Sequence, residues 1–352
     1  MEIYDDRGLT WAATHADPGH RVEAESFANR VAPDVLRVDV GCGAGRYLPL
    51  LGTPAIAFDA SAVMLNACRA RVPDALYVQA DVEALPFAGR SIGGAWSWMT
   101  HLHVPRRRLP LALWDLHRIL AVGAPLELQV LEGHYEGDQL PGDTVGGRFF
   151  AGWTPDRLLD QVIGAGFEVE EGSVVGSGDE VRLRAVRGRT LADTVGDGMR
   201  LLVCGVNASF YSADAGVGYA RPGNRFWPAA LRAGIADRDR DPVDALLRRG
   251  MGMTDFVKRA TRTAAEVTAD EYRMGFARVE RLVEWLRPRA VCFVGLSGWR
   301  SVVDSKAVAG RQARPIGGRP AYVMPSTSGL NARTSMTELA EHLRAAGALA
   351  DT

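Results

Sequence analysis

At 352 residues, 47% of them hydrophobic and 24% charged, the chain has the composition of ordinary globular protein and is long enough for two domains. It holds no apolar run of the ~20 residues that a membrane span needs, and its acidic start, Met1-Glu2-Ile3-Tyr4-Asp5-Asp6, lacks the apolar core of a signal peptide. Four cysteines (Cys42, Cys68, Cys204, Cys292) stand without Cys-x-x-Cys spacing, which argues against a zinc site and fits a reducing cytoplasm. A cytoplasmic protein with no metal and no membrane contact is therefore expected.

The net charge of −1 hides an asymmetry. Residues 1–187 carry 17 arginines against 25 acidic residues, whereas residues 188–352 carry 24 basic and 17 acidic ones. A basic half gains affinity from neutralising phosphates, and an acidic half is a poor duplex binder on bulk charge alone.

In chain order, the first half alternates short β-branched runs with helical patterns, which implies a parallel sheet with crossover helices. Strands are expected at Leu36 to Val40, Ala55 to Phe58, Leu76 to Val78, Gly94 to Ser97 and Pro125 to Leu131. Helices are expected at 44–52, 61–72, 106–120 and 155–165. The Gly- and Asp-rich stretch 186–198 reads as a junction, which puts a domain boundary near residue 187. The second half repeats the logic, with strands near 200–204, 290–294 and 320–324. Its helices are expected near 224–233, 241–249, 270–286, 297–305 and 334–346.

The first strand runs into Asp39-Val40-Gly41-Cys42-Gly43-Ala44-Gly45. Glycines at 41, 43 and 45 let the backbone turn tightly and approach a ligand, and the helix expected next would aim its N-terminus at that ligand. Asp59 ends the second strand 20 residues after Asp39, where a carboxylate can accept both hydroxyls of a ribose. Asp81 follows the third strand in Ala80-Asp81-Val82-Glu83. This pattern resembles the class I S-adenosylmethionine-dependent methyltransferases over about residues 34–175. The resemblance implies that Asp39 and the loop Gly41, Gly43 and Gly45 lie by the methionine moiety. It likewise implies that Asp59 holds the ribose, and that Asp81 and Val82 contact the adenine. Asp81 would also serve as a plain N-cap.

The methyl acceptor is not readable. The fourth strand ends Trp96-Ser97-Trp98-Met99-Thr100-His101-Leu102-His103, without the Pro-Pro-aromatic motif of amino-methylating DNA enzymes. No cysteine of this half follows a proline, so cytosine-C5 chemistry is not supported either. His101 or His103 is a candidate general base, or else a structural histidine. Trp96 and Trp98 share a strand face and either line an acceptor pocket or fill core. Arg106-Arg107-Arg108 reads as a solvated helix start.

In the second half, the strand Leu201-Leu202-Val203-Cys204 ends in what reads as a Gly205-Val206-Asn207 turn. Seventeen residues later Asn224-Arg225-Phe226-Trp227 opens a helix, and a polar loop follows at Pro325-Ser326-Thr327-Ser328-Gly329-Leu330-Asn331. An amide such as that of Asn207 can orient a water, and Val206, Ala208 and Ser209 can present backbone to a base edge. Tyr219 offers a face for stacking an extruded base. Ser326, Thr327 and Ser328 can donate to phosphates, and Leu330 is an apolar residue in a polar loop. Asn224 is either an N-cap or a pocket residue, while Phe226 and Trp227 suit the core.

These residues resemble the mismatch-specific uracil-DNA and thymine-DNA glycosylases over about residues 188–347, Arg221-Pro222-Gly223-Asn224-Arg225-Phe226-Trp227-Pro228 being the most family-like run. By that resemblance Asn207 positions the water, Tyr219 stacks the base and Leu330 is the wedge. Gly329, Asn331 and the neighbouring serines form the DNA-contacting loop. Two departures stand out. The family's first loop usually reads Gly-Ile-Asn-Pro-Gly, where this chain has Ala208 and Ser209 in the last two places. The family's arginine after the second loop aligns with Ala332, beside Arg333.

The implied protein is α/β throughout. It has a Rossmann-like methyltransferase domain at 1–187 and a uracil-DNA-glycosylase-like domain with a mostly parallel sheet at 188–352. S-adenosylmethionine is the implied cofactor, and damaged or mismatched double-stranded DNA the implied partner. With only Lys258 and Lys306 in the chain, and neither in these loops, a lyase step through a Schiff base is not supported. Two alternatives remain: a glycosylase-like half that only binds DNA and delivers the methyltransferase, or one that processes a free nucleoside.

Overall fold

The alternation of β-branched and helical segments becomes two parallel-rich sheets in the computed structural model. It describes residues 2–14, 19–140, 142–143 and 145–351, so Met1 of the acidic start lies outside the described residues. The chain divides into two compact units, Met1–Ile163 with Phe167–Gly188, and Gly164–Gly166 with Arg189–Thr352.

The first unit begins with helices α1 (Glu2–Thr14) and α2 (Arg21–Arg30). There follow β1 (Arg37–Val40), β2 (Ala55–Asp59), α3 (Ala62–Arg71), β3 (Leu76–Gln79), β4 (Gly94–Trp98), α4 (Leu109–Ile119) and β5 (Pro125–Leu131). A short pair, β6 (Glu136–Gly137) and β7 (Phe150–Ala151), precedes α5 (Pro155–Gly164), β8 (Phe167–Val169), β9 (Val175–Gly176) and β10 (Glu180–Arg187). The main sheet has the order β3-β2-β1-β4-β5-β10-β8, with β9 on β10. Strands β3, β2, β1, β4 and β5 are mutually parallel, and β10 returns antiparallel to β5. Strand order reverses between β1 and β4, the switch point where a doubly wound sheet opens a crevice at its strand ends. All four residues of β1 are buried, as a central strand covered on both faces requires. Ser61 starts α3 by accepting a hydrogen bond from Met64 N at 3.2 Å.

The expected helix at 44–52 does not form. Only a short 3-10 turn, Leu48–Leu50, is present. Pro49 supplies no N–H there, and Gly52 takes a positive φ of 81°. The glycine loop therefore faces no long helix, and the dipole argument for it falls away. Strand β10 lacked an expectation although its sequence alternates, and its burial alternates with it.

The second unit contains β11 (Leu201–Ser209), α6 (Phe210–Ala215), α7 (Phe226–Ala233), α8 (Pro242–Arg249), β12 (Met251–Thr261) and α9 (Ala269–Leu286). It continues with β13 (Ala290–Val294), α10 (Leu296–Val302), β14 (Gly310–Arg311), β15 (Ala321–Met324) and α11 (Met336–Leu349). The sheet order is β12-β11-β13-β15-β14, parallel except for β14. Thr268 with Glu271 and Ser335 with Glu338 form capping boxes that fix the starts of α9 and α11. Leu339, Ala340, Leu343 and Ala346 of α11 pack on Phe226, Trp227 and Met324, so the two family-like aromatics are core, as expected.

Two expectations need correction. Asn207 is not in a turn: β11 runs on to Ser209, with an irregular register between Asn207 and Ser209 against β12. Strand β12 itself was unforeseen. Its sequence, MGMTDFVKRAT, interrupts the apolar pattern with Asp255 and Lys258, yet most of it is buried. Lys258 is tolerated because it belongs to a paired network. Asp193 accepts from Lys258 Nζ, Arg278 and Thr254 Oγ1, each at 2.7 Å.

Candidate functional sites

Each unit has its own cavity at the carboxyl ends of its parallel strands. In the first unit it measures about 730 Å³, within the range of small-molecule sites. Asp39, Gly41, Gly43, Asp59, Asp81 and Val82 all line it. Gly45 does not: a Cβ there would stand 2.6 Å from Cys68 Sγ, so this glycine lets the loop pack on α3. At Gly41, with φ of 75°, a Cβ would stand 2.1 Å from Thr100 Oγ1. The chain thus crosses the end of β4 only because Gly41 has no side chain.

The three carboxylates differ. Asp39 is fully buried, its Oδ2 has no partner, and burial drives its pKa well up. An unpaired buried carboxylate oxygen facing a cavity suits a ligand donor. Asp59 accepts from Gly43 N at 2.8 Å and from Ser61 N at 2.9 Å, so it braces the glycine loop with one lone pair on each oxygen. Asp81 is exposed and accepts from Glu83 N at 2.9 Å, a local turn and not a helix cap.

Part of the cavity wall is aromatic. Trp96 and Trp98 stack at 4.2 Å. Trp96 is core, whereas Trp98 is largely buried yet lines the cavity with Tyr47 and Phe150. The two histidines separate in the same way. His101 is buried against Ser97, with 2.6 Å between Nδ1 and Oγ, and is structural. His103 lines the cavity, and burial lowers its pKa to about 4. Arg106 holds the Gly152 and Tyr135 carbonyls, so it buttresses the loop and is not the solvated residue expected.

In the second unit a cavity of about 590 Å³ is lined by Val206, Asn207, Ala208, Ser209, Tyr219, Asn224, Ser326, Ser328, Asn331 and Arg333. The end of β11 and the loop at Ser326 thus line one cavity. Asn207 Nδ2 donates to Arg259 O at 3.1 Å and to Thr261 Oγ1 at 2.7 Å. Both amide hydrogens are thereby committed to β12, and Oδ1 is left as an acceptor. Ser209 caps α6, its Oγ accepting from Ser212 N. Tyr219 stacks on Phe226 at 4.3 Å, which takes one face of its ring. Asn224 lines the cavity and accepts from Phe226 N at 3.0 Å, but it is not the N-cap expected as its alternative, since Arg225 holds that place at the start of α7.

The second loop is held by Arg225, which sequence reasoning passed over. Its guanidinium donates to the carbonyls of Thr334 and Asn331, both at 2.5 Å. Asn331 Nδ2 ties back to Ser326 O at 2.8 Å. Thr327 is buried and so is not a phosphate donor on the surface. Gly329 packs on the Gly223 carbonyl outside the cavity, and Leu330 is 93% exposed. Arg221, Arg262 and Arg333, all exposed, add positive charge to the lining.

Asp255 is the other residue missed. It lines this cavity, and its Oδ1 lies 2.2 Å from where a Cβ on Gly205 would stand. Gly205 pairs with Asp255 and Asn207 with Val257 in the β11–β12 register, so Asp255 and Asn207 share a sheet face. Burial raises the Asp255 pKa to about 6, against the pull of Lys258 and Arg278. The Tyr219 hydroxyl beside it is buried without a partner. Among the described residues no group of three or more His, Cys, Asp or Glu is arranged to hold a metal ion.

Comparison with known proteins finds a match in each half of the chain. Residues 38–123 match a family model described as a methyltransferase domain, and residues 192–349 match that of the uracil DNA glycosylase superfamily. Similar solved structures include an S-adenosylmethionine-dependent methyltransferase from Mesorhizobium loti (19% identity, 47% of this chain, 96% of that one, TM-score 0.40). Another is the Burkholderia thailandensis 1,6-didemethyltoxoflavin-N1-methyltransferase (18% identity, 53% of this chain, 84% of that one, TM-score 0.42). The chain thus joins a methyltransferase domain to a domain of the uracil DNA glycosylase superfamily.

Proposed function

We propose that the C-terminal domain hydrolyses the N-glycosidic bond of uracil, or a related base, in double-stranded DNA. The observation that carries this reading is the Asn207 amide. With both Nδ2 hydrogens held by Arg259 O and Thr261 Oγ1, Oδ1 is the atom left to accept from a water in the cavity. Such a water attacks the sugar carbon as the base departs with the bonding electrons, so the site must order water and accept an extruded base. Tyr219 walls the cavity and Leu330 stands clear of it as a wedge would. Arg221, Arg262 and Arg333 supply charge for phosphates. Lys258 is held by Asp193, so no amine is free there for a lyase step.

The N-terminal domain binds S-adenosylmethionine in this proposal. The cavity fits it: Asp39 presents an unpaired oxygen, Gly41 and Gly43 leave the loop open, and Asp59 and Asp81 offer acceptors for ribose and adenine. When bound, the cofactor supplies an electrophilic methyl group. The aromatic residues of the cavity wall orient the acceptor.

The glycosylase reading is tested with end-labelled duplexes carrying U·G, U·A or T·G, treated with alkali to reveal abasic sites. Cleavage lost in Asn207→Ala supports it, and the preferred pair shows whether mismatch selectivity accompanies Ala208, Ser209 and Arg333. Tight DNA binding with no cleavage of any uracil substrate sinks it and leaves a DNA-binding module.

A further inference from the structure

The methyltransferase cavity contains a hydrogen-bonded chain to which the cofactor reading above assigns no role. Tyr4 of α1 has its hydroxyl 2.9 Å from His103 Nε2. His103 Nδ1 is 2.7 Å from the Phe149 carbonyl oxygen. A carbonyl can only accept, so Nδ1 carries the ring hydrogen. Burial keeps the ring neutral at pH 7, with a pKa of about 4. Nε2 is therefore an acceptor, and Tyr4 donates to it. Arg148 in turn donates to the Tyr4 oxygen at 3.2 Å and is paired with Asp143. That direction is fixed at both ends: a carbonyl sets the histidine tautomer and a guanidinium faces the phenol oxygen.

We propose that Tyr4 and His103 form the proton-accepting relay for methyl transfer to a planar aromatic acceptor bearing an ionisable hydroxyl. This rests on the methyltransferase reading above. The walls fit a planar ring: Tyr47, Trp98 and Phe150 line the same cavity as Tyr4 and His103, and the Phe150 ring lies 5.1 Å from that of His103. The relay fits a hydroxyl, because a neutral amine attacks with its lone pair before it sheds a proton, whereas a hydroxyl is a poor nucleophile until its proton is taken. In the step, the acceptor oxygen uses an electron pair to bond the methyl carbon. The carbon–sulfur bond breaks, and its pair stays on sulfur, which becomes a neutral thioether. The acceptor proton passes to the Tyr4 oxygen while the Tyr4 proton passes to His103 Nε2. The positive charge that leaves sulfur reappears on the imidazolium, whose proton then returns to solvent. Tyr4 is the group that touches the acceptor, and His103 acts through it.

Two phenols of different acidity test this on the full-length protein. At pH 8 catechol stays largely protonated and needs a base, whereas 4-nitrophenol is largely ionised and needs little help. S-adenosylmethionine binding is measured first by calorimetry; its absence would overturn the methyltransferase reading itself. With the cofactor bound, Tyr4→Phe and His103→Gln are each expected to lower the ratio of catechol to 4-nitrophenol methylation at least tenfold. Equal losses on both acceptors, an unchanged ratio, or cofactor binding with neither phenol bound or methylated would overturn the relay. The His103→Gln variant guards against a misfolded α1 in Tyr4→Phe.

Discussion

Asn207 Nδ2 donates to Thr261 Oγ1 at 2.7 Å, across the boundary between β11 and β12. This bond decides which end of the amide is left for water. Replacing Thr261 with Val keeps the volume and removes the acceptor, leaving Arg259 O as the one partner for Nδ2. A single hydrogen bond is worth about 0.5–1.5 kcal/mol, so excision by Thr261→Val should fall roughly three- to tenfold with binding of uracil duplex unchanged. Single-turnover kinetics read this directly, and an unchanged rate would mean that Thr261 does not orient the amide.

Asp255 predicts a pH dependence of stability. Its pKa is raised to about 6 from an ordinary carboxylate value near 4. The folded domain thus binds more protons than the unfolded chain between those values, and stability falls as pH rises from about 4 to about 6. Above pH 6 the ionised carboxylate carries its full burial penalty, on the order of 1–3 kcal/mol. Asp255→Asn should therefore raise stability at pH 8 by that order and flatten the curve between pH 4 and 6 in urea titrations. Equal slopes in the two proteins would show that the carboxylate is not desolvated.

Asp193 predicts the opposite sign. Although burial alone would raise it, Arg278 and Lys258 hold its pKa below the usual carboxylate range. Its stabilisation is present above the unfolded pKa and is lost as pH falls through the folded one. Asp193→Ala would leave two cations without their shared partner, a change that typically costs about 3–5 kcal/mol. Denaturant unfolding of the variant should show a loss of that order; a loss below about 1 kcal/mol would mean that solvent screens the network.

Leu330 packs on little and is exposed. Leu330→Ala should change stability by less than about 0.5 kcal/mol. As a wedge it fills the space left by an extruded base, so the same variant should lose excision from duplex far more than from single-stranded uracil DNA. Equal losses on the two substrates would remove that role.

Much of this was written locally in the chain. The order of short apolar runs and helical patterns determined two α/β units. Glycines and carboxylates at strand ends (Gly41, Gly43, Asp39, Asp59, Asp81) marked the first cavity, because a strand-to-loop junction in a parallel sheet must open at its carboxyl end. Asn207 and the loop at Ser326 marked the second for the same reason. What lay beyond the sequence depended on partners far away in the chain. Asp255 looked like an interruption, since nothing local reveals that Lys258, Arg278 and Asp193 make a buried polar strand tolerable. Arg225 looked like a helix-start residue until its carbonyl partners more than 100 residues on were in place. His101 and His103 were indistinguishable by spacing; only the tertiary structure buried one against Ser97 and set the other between the Phe149 carbonyl and Tyr4. Hydrogen-bond partnership and desolvation are properties of the packed chain, and they decided which of the marked residues can act.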